Sequence, residues 1–196
     1  MDKILVAYAS NSGSTKEVAE FIAAKAAGGI PIDVVDISSV TSLNGYRGVI
    51  IAAPMILGIH SSARKFLSKF RTELSGIPHA CIFTAMNVTG NQRNTSKAYQ
   101  ITVDPYVSHE PVNPQRLSIK ENYALPANYL RPIEKILDQS KPLGVAFMGG
   151  KLEMFKLPIL QALFVMLIIQ AKPGDLRNWE LIENWSKGMM QQFVTT

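Results

Sequence analysis

The stretch Ile4-Leu-Val-Ala-Tyr-Ala-Ser10-Asn-Ser-Gly-Ser-Thr15-Lys-Glu-Val-Ala19 constrains this chain more than any other, because it carries an apolar run through a hydroxyl-rich loop straight into a helical pattern. Ile4 to Ala9 is short and almost continuously apolar, as a strand covered on both faces must be, whereas Val18, Ala19, Ile22, Ala23 and Ala26 recur at helical spacing. The first-turn N–H groups of a helix lack intrahelical acceptors and carry the positive end of the macrodipole. A phosphate over Ser10, Asn11, Ser12, Gly13, Ser14 and Thr15 would therefore be held by backbone and hydroxyl donors, with no lysine required. A bare helix cap would need one hydroxyl, not the four present here. The loop carries neither the G-x-x-x-x-G-K-[ST] of nucleoside-triphosphate loops nor the G-x-G-x-x-G of dinucleotide folds.

With 196 residues, 47% of them hydrophobic, the chain can bury a core of its own, and a single domain over 1–196 is expected. The sole cysteine, Cys81, lies in the apolar run Ala80–Phe83, so it reads as a small buried hydrophobe; no internal disulfide can form and no metal site is expected. Met1-Asp-Lys leads directly into a strand without a basic and apolar export pattern, so a cytoplasmic location is expected. The formal charge is +5, with 10 Lys+Arg against 6 Asp+Glu in residues 1–100 and 10 against 9 in residues 101–196. Arg64, Lys65, Lys69 and Arg71 gather much of that excess on one predicted helix, which reads as a solvated face or as attraction for anionic partners. Nucleic acid is not expected, since no recognition motif occurs and no aromatic residues are interleaved with the basic ones.

Strand and helix patterns alternate along the chain, which specifies a doubly wound α/β fold: a parallel sheet with helices on both faces. Strands are predicted over Ile32 to Asp36, Gly48 to Ala53, Ala80 to Ala85 and Leu143 to Met148; helices over Ser61 to Leu74, Asn128 to Asp138 and Trp179 to Phe193, the last capped by Asn178.

Tyr8, Ser10, Gly13, Thr15, Ala19 and Ile22 fall in register with the flavodoxin signature, in which an aromatic residue precedes a Ser/Thr-x-x-Gly-x-Thr loop with an alanine four residues on. The chain resembles that family, departing at Ala7, where a larger residue is usual. The resemblance implies a five-stranded sheet in the order 2-1-3-4-5 with FMN beyond the carboxyl ends of strands one and three. Besides the first loop, it directs attention to Ala53, Pro54, Met55, Ile56, Leu57 and Gly58 after the third strand and to Met86, Asn87, Val88 and Thr89 after the fourth. Both offer apolar contacts for a flavin ring and polar groups for its edge. His60 is the one histidine in a flavin loop, and it is expected to deliver a proton or position a substrate; His79 begins a strand and His109 falls in an insertion.

More narrowly, the chain looks like the flavodoxin-type protoporphyrinogen oxidases that pass electrons to quinones. Gly58-Ile-His60 followed by Ala63 and Phe66, then Asn87, Tyr129, Leu137, Pro142, Gly149-Gly150 and Trp179, all fall in the family's order. Two features depart: a residue missing between Gly58 and His60, and a long insertion over 89–127 between strand four and the next helix. With Pro105, Pro111, Pro114 and Pro126 that insertion is not one helix, and it reads as a lid over the flavin edge or as disorder. Within the apolar segment 155–171, the stretch Leu157 to Ala171 is polar only at Gln161 and Gln170, which lie on opposite sides of a helix. Its core, Leu157 to Ala171, would reach roughly 22 Å as a helix, short of the approximately 30 Å hydrocarbon core. Three readings stay open: a buried helix, a homodimer interface, or a helix lying on an anionic membrane surface with Lys151, Lys156 and Lys172 near lipid, which would make the chain peripheral on the inner face of the cell membrane.

The sequence thus favours an FMN oxidoreductase that oxidises a small anionic substrate and reduces a quinone. Alternatives are a non-enzymatic electron carrier, for which the positive charge is unusual, and a flavin-free scaffold.

Overall fold

The computed structural model describes residues 3–26, 28–55, 58–90, 99–152 and 174–195. Period-two alternation in β1 (Lys3–Tyr8) sends Leu5 and Ala7 into one apolar cluster and Ile4 and Val6 into another, and all four are fully buried. Both faces of the strand are covered, which is why its sequence reads as continuously apolar. The chain continues through α1 (Ser14–Ala26), β2 (Ile32–Asp36), β3 (Tyr46–Pro54), α2 (Ser61–Lys69), α3 (Arg71–Leu74) and β4 (His79–Ala85). The insertion then supplies β5 (Val88–Thr89), β6 (Gln100–Val103), β7 (Ser108–His109) and α4 (Ile119–Tyr123). After it come α5 (Pro126–Leu130), α6 (Glu134–Ser140), β8 (Gly144–Gly149), β9 (Lys151–Leu152), β10 (Gly174–Asp175) and α7 (Trp179–Thr195).

The main sheet runs β2-β1-β3-β4-β8-β6 with every pairing parallel. The expected doubly wound order of the first five strands is what the structure has. α1 and α7 cover one face through Val18, Ala19, Ile22, Ile182, Trp185, Met189 and Phe193; α2, α3 and α6 cover the other through Phe66, Leu67, Leu74 and Leu137. Asn178 caps α7 as predicted, its Oδ1 accepting from Leu181 N at 3.1 Å.

Two expectations need correction. The sheet has six strands, not five, because Gln100–Val103 of the insertion adds to β8 in the register Gln100↔Gly144. It buries Ile101 and covers an edge that β8 would otherwise expose. The helices predicted over Ser61 to Leu74 and Asn128 to Asp138 are each divided. Phe70 ends α2 with φ −100° and ψ 16°, and residues 131–133 separate α5 from α6. Phe66, Leu67, Phe70 and Leu74 stay buried across the first break, so the apolar periodicity reports the face without revealing the interruption. Of the 89–127 insertion, residues 91–98 lie outside the described set, as do Ile56, Leu57 and the apolar segment 155–171. Among the described residues no helix is long and apolar enough to cross a membrane.

Candidate functional site

At the carboxyl end of β1 the chain leaves the sheet through Ala9, whose N–H donates to Ala52 O at 2.8 Å, and turns before α1. The turn is held from within: Ser10 Oγ accepts from Gly13 N at 2.9 Å, and Gly13 takes φ +91°, a conformation that side chains with a Cβ rarely adopt. Glu17 N to Gly13 O, at 3.0 Å, is the first helical bond, so the N–H groups of Ser14, Thr15 and Lys16 precede it and have no helical acceptor. Thr15 is fully buried and its Oγ1 lies 3.1 Å from Thr84 Oγ1, tying the start of α1 to the end of β4. The hydroxyls therefore divide. Ser10 and Thr15 build the loop, whereas no other described residue engages Ser12 or Ser14.

The second loop is fixed to the first. Met55 N donates to Thr84 O at 2.8 Å, Met55 and Ile59 form an isolated antiparallel bridge, and Gly58 between them has φ +93°. His60 then caps α2, its Nδ1 accepting from Ser62 N at 3.3 Å. That bond leaves the proton on Nε2, which donates to Asn11 Oδ1 at 2.8 Å, the tautomer being assigned from this network. Burial lowers the His60 pKa, opposed by the charge of Asp36, so the neutral ring prevails at pH 7. Both ring nitrogens are engaged, and the proton delivery expected of His60 requires the Asn11 bond to open.

The third loop is pinned by the insertion. Val88 N donates to Val107 O at 2.8 Å, Thr89 N to Ala124 O at 2.9 Å and Gly90 N to His109 O at 2.7 Å. Val88 and Thr89 are buried in this packing. Tyr129, whose phenol is pushed up by burial and stays protonated, donates to Asn87 O at 3.1 Å. Asn87 Oδ1 is buried without a hydrogen-bond partner.

These loops enclose a cleft lined by Asn11, Ser12, Ser14, Pro54, Met55, Thr84, Ala85, Met86, Gly150, Lys151 and Leu152. Of the residues expected from sequence, Asn11, Ser12, Ser14, Pro54, Met55 and Met86 line it. Ser10, Gly13 and Thr15 shape the first loop, while Ala53, Val88 and Thr89 are spent on packing. Its volume is about 30 Å³, room for a group the size of one water. A roomier cavity, about 720 Å³ between the carboxyl ends of α1 and α7, lies at the opposite end of the sheet, away from these loops.

The wall formed by Gly150, Lys151 and Leu152 was not found by sequence reasoning, although the Gly149-Gly150 pair marked the place. A Cβ on Gly149 would overlap the Leu176 carbonyl, and Gly150 N donates to Ala85 O at 2.8 Å, so the backbone is clamped before it enters the cleft. Next to this wall, Arg177 bridges Glu17 and Asp175, each at 2.6 Å, and lies 4.5 Å from the Trp179 ring centroid. Its hydrogen bond holds Asp175 below the usual carboxylate range, helped by the charges of Arg177 and Lys151. Among the described residues no group of three or more His, Cys, Asp or Glu side chains converges as a metal site, and burial pushes the Cys81 thiol up to about 12.

A family model described as Flavodoxin domain matches residues 5–177. Among solved structures, flavodoxin 2 from Bacillus cereus aligns at 14% identity and a TM-score of 0.49, over 97% of this chain and 99% of that one. The Trp repressor binding protein from Bacillus subtilis aligns at 13% and 0.44, over 97% and 98%. A flavodoxin from Fusobacterium nucleatum bound to flavin mononucleotide aligns at 8% and 0.42, over 100% and 98%. No curated protein matches the sequence.

Proposed function

Because the chain belongs to the flavodoxin domain family, we propose that it binds FMN at the cleft between the first, second and third loops and works as an electron-transferring oxidoreductase. The observation that carries this reading is the division of hydroxyls in the first loop: Ser12 and Ser14 line the cleft beside helix N–H groups that have no acceptor, which is the donor set a phosphate needs. Two further features fit the group. The buried Asn87 Oδ1 lacks a donor, and a flavin ring presents an N–H at its polar edge. Met55 and Met86 line the cleft as soft apolar side chains suited to a ring face.

The volume sets one condition. About 30 Å³ admits a phosphate oxygen but not a three-ring system, so the ring would lie outside this cleft or the Pro54–Met55 and Thr84–Met86 walls would part to admit it. When bound, FMN supplies a centre that takes up and releases one or two electrons. The protein's part is to grip the phosphate at Ser12 and Ser14, to orient the first and second loops through the Asn11–His60 bond, and to keep water from the ring with Met55 and Met86.

For the reaction itself, the finer reading is oxidation of a small anionic substrate with transfer to a quinone, in the manner of the protoporphyrinogen oxidases the sequence resembles. It is supported by the charge of +5 and by the apolar segment 155–171, whose flanking residues Leu152 and Gly174 pair in the β9–β10 ladder at the cleft wall. Titrating the purified chain with FMN tests the first claim, with a stoichiometric complex and quenched flavin fluorescence expected. Anaerobic reduction by protoporphyrinogen and reoxidation by a quinone analogue test the second. Flavin that binds but does neither would leave a carrier.

A further inference from the structure

We propose that the exposed face of α2 and α3 is a docking surface for an acidic protein partner, and that the groove between residues 37–40 and α2 receives an apolar side chain of that partner. The surface stands whether or not flavin binds; its use in electron exchange rests on the FMN reading.

At about 100° per residue, Arg64, Lys65, Ser68 and Lys69 fall within one exposed arc of α2, opposite the buried Ala63, Phe66 and Leu67. Arg71 continues the basic run into α3, where Glu73 is the one acid. Among the described residues none forms an ion pair or a hydrogen bond with the side chains of Arg64, Lys65 or Arg71. Asp36, whose charge reaches His60 at the α2 cap, is already engaged: it accepts from Ser38 N at 2.9 Å and from Ser38 Oγ at 2.6 Å. The helix is also built against its own electrostatics. Arg64 stands in the first turn, at the positive end of the macrodipole, with no acid beside it. Lys65 and Lys69 are one turn apart, a like-charge spacing that costs a helix stability. A carboxylate-rich partner across this face would relieve both.

The groove beside these charges has a volume of about 310 Å³, enough for a large side chain. Ile37, Val40, Phe66 and Phe70 form its apolar wall, and Lys65 and Lys69 stand at its rim. The rings of Phe66 and Phe70 lie 4.8 Å apart between centroids, and Lys69 Nζ sits 4.5 Å from the Phe70 centroid while donating to Val40 O at 3.5 Å, so wall and rim are fixed to each other. A concave apolar socket edged by cations suits an anchor residue set among acids. It does not suit a lipid surface. A helix lying on a membrane presents exposed apolar residues to the acyl boundary, whereas Ala63, Phe66, Leu67, Phe70 and Leu74 are all buried. The face also borders the cleft, because His60 caps α2 and donates to Asn11 of the first loop at 2.8 Å.

The probe is a short glutamate-rich peptide with one central leucine, titrated against the purified chain with and without FMN while amide NMR shifts are followed. The expected result is shifts confined to residues 37–40 and 61–73, binding weakened about tenfold or more from low to high salt, and no binding by the same peptide with glutamine for glutamate. The double variant Arg64→Gln with Lys65→Gln should weaken the peptide about fivefold. Both positions are exposed and outside the cleft lining, so melting and FMN affinity should stay as in wild type. Shifts scattered over lysines elsewhere, or an unchanged affinity in the double variant, would overturn the surface. Replacing the leucine with alanine should weaken the peptide, and equal affinity would overturn the groove as its anchor. Phosphatidylglycerol vesicles that bind the chain through Arg64 and Lys65 while the peptide does not would overturn the proposal in favour of a membrane. A chain that takes the peptide but no flavin would uphold the surface and remove the FMN reading alone.

Discussion

The turn at Ser10–Gly13 and the start of α1 close through bonds that span four residues or fewer, Ser10 Oγ to Gly13 N and Glu17 N to Gly13 O, while Ala9, Asn11 and Thr15 fasten the loop to Ala52, His60 and Thr84. The insertion reaches the same end of the sheet by the opposite means. Its anchor is Asp104, fully buried, whose Oδ2 accepts from Gly149 N at 3.0 Å across 45 residues and whose Oδ1 accepts from Asn178 Nδ2 at 3.3 Å across 74. Tyr106 N, at 3.0 Å, supplies the one local donor. A short loop that must meet a ligand can be encoded locally, since its donors need only face outward. A long segment gains a fixed place only when a buried polar group ties it to distant strands.

That contrast can be broken most severely at Asp104. Asp104→Ala leaves the buried N–H of Gly149 and the half-buried Tyr106 N–H and Asn178 amide without their acceptor, and should destabilise the protein by about 3 kcal/mol. Chemical denaturation checks it. The local counterpart, Ser10→Ala, removes one bond in a half-buried turn and should cost about 1 kcal/mol. Equal losses at the two positions would show that the distinction between local and distant anchoring has no energetic content.

How much of this was legible in the sequence follows the same division. The first loop, the flavodoxin-like strand order and the Asn178 cap depend on residues adjacent in the chain, and each could be read from spacing. β6 could not: Gln100-Ile-Thr-Val103 is a short segment behind a polar stretch, and it becomes a strand because the edge of β8 is open to it. Lys151 drew attention in the sequence only as a cation that could lie near lipid. It lines the cleft because β8 ends beside β4 with the register Ala85↔Gly149, a pairing that neighbouring residues do not announce. Among the hydroxyls of the first loop, spacing alone could not tell Thr15 from Ser12 and Ser14, because that difference is made by Thr84, 69 residues beyond Thr15.

The division of hydroxyls is the next place to press. Thr15→Val keeps the shape but strands the Thr84 hydroxyl in a buried position, for a loss of about 1–3 kcal/mol, and adding Thr84→Val should recover much of it because both polar groups are then gone. Ser12→Ala with Ser14→Ala should do the reverse, leaving the denaturation midpoint in place while weakening FMN about tenfold. A double substitution at Ser12 and Ser14 that unfolds the protein, or a Thr15 variant whose defect is confined to binding, would reverse the assignment.

The smallest effects concern two of the three histidines, His60 and His79, one at each end of the sheet. His79 lies at the amino-terminal end of β4, its Nδ1 donating to Ile77 O at 3.0 Å and its Nε2 accepting from Ser140 Oγ at 3.1 Å; burial lowers its pKa. His60, at the cleft, is lowered for the same reason. In the unfolded chain each should titrate near the ordinary value of about 6.5. The unfolded state therefore takes up protons that the folded state refuses, and the stability these residues contribute, complete above about pH 6.5, is lost as pH falls below it toward the folded pKa values. The two histidines differ in what else is lost. Protonating His79 puts a hydrogen on Nε2 and forces the Ser140 hydroxyl to turn from donor to acceptor, far from the loops, so acid should lower the melting temperature without changing FMN affinity through that residue. Protonating His60 places a hydrogen on Nδ1, where Ser62 N now donates, which frees the α2 cap and loosens the ring that holds Asn11. FMN affinity measured from pH 7.5 to 5.5 should accordingly weaken in wild type and in His79→Gln but stay flat in His60→Gln. A flat profile in wild type would mean that the Asn11–His60 bond does not bear on how the first loop meets its ligand.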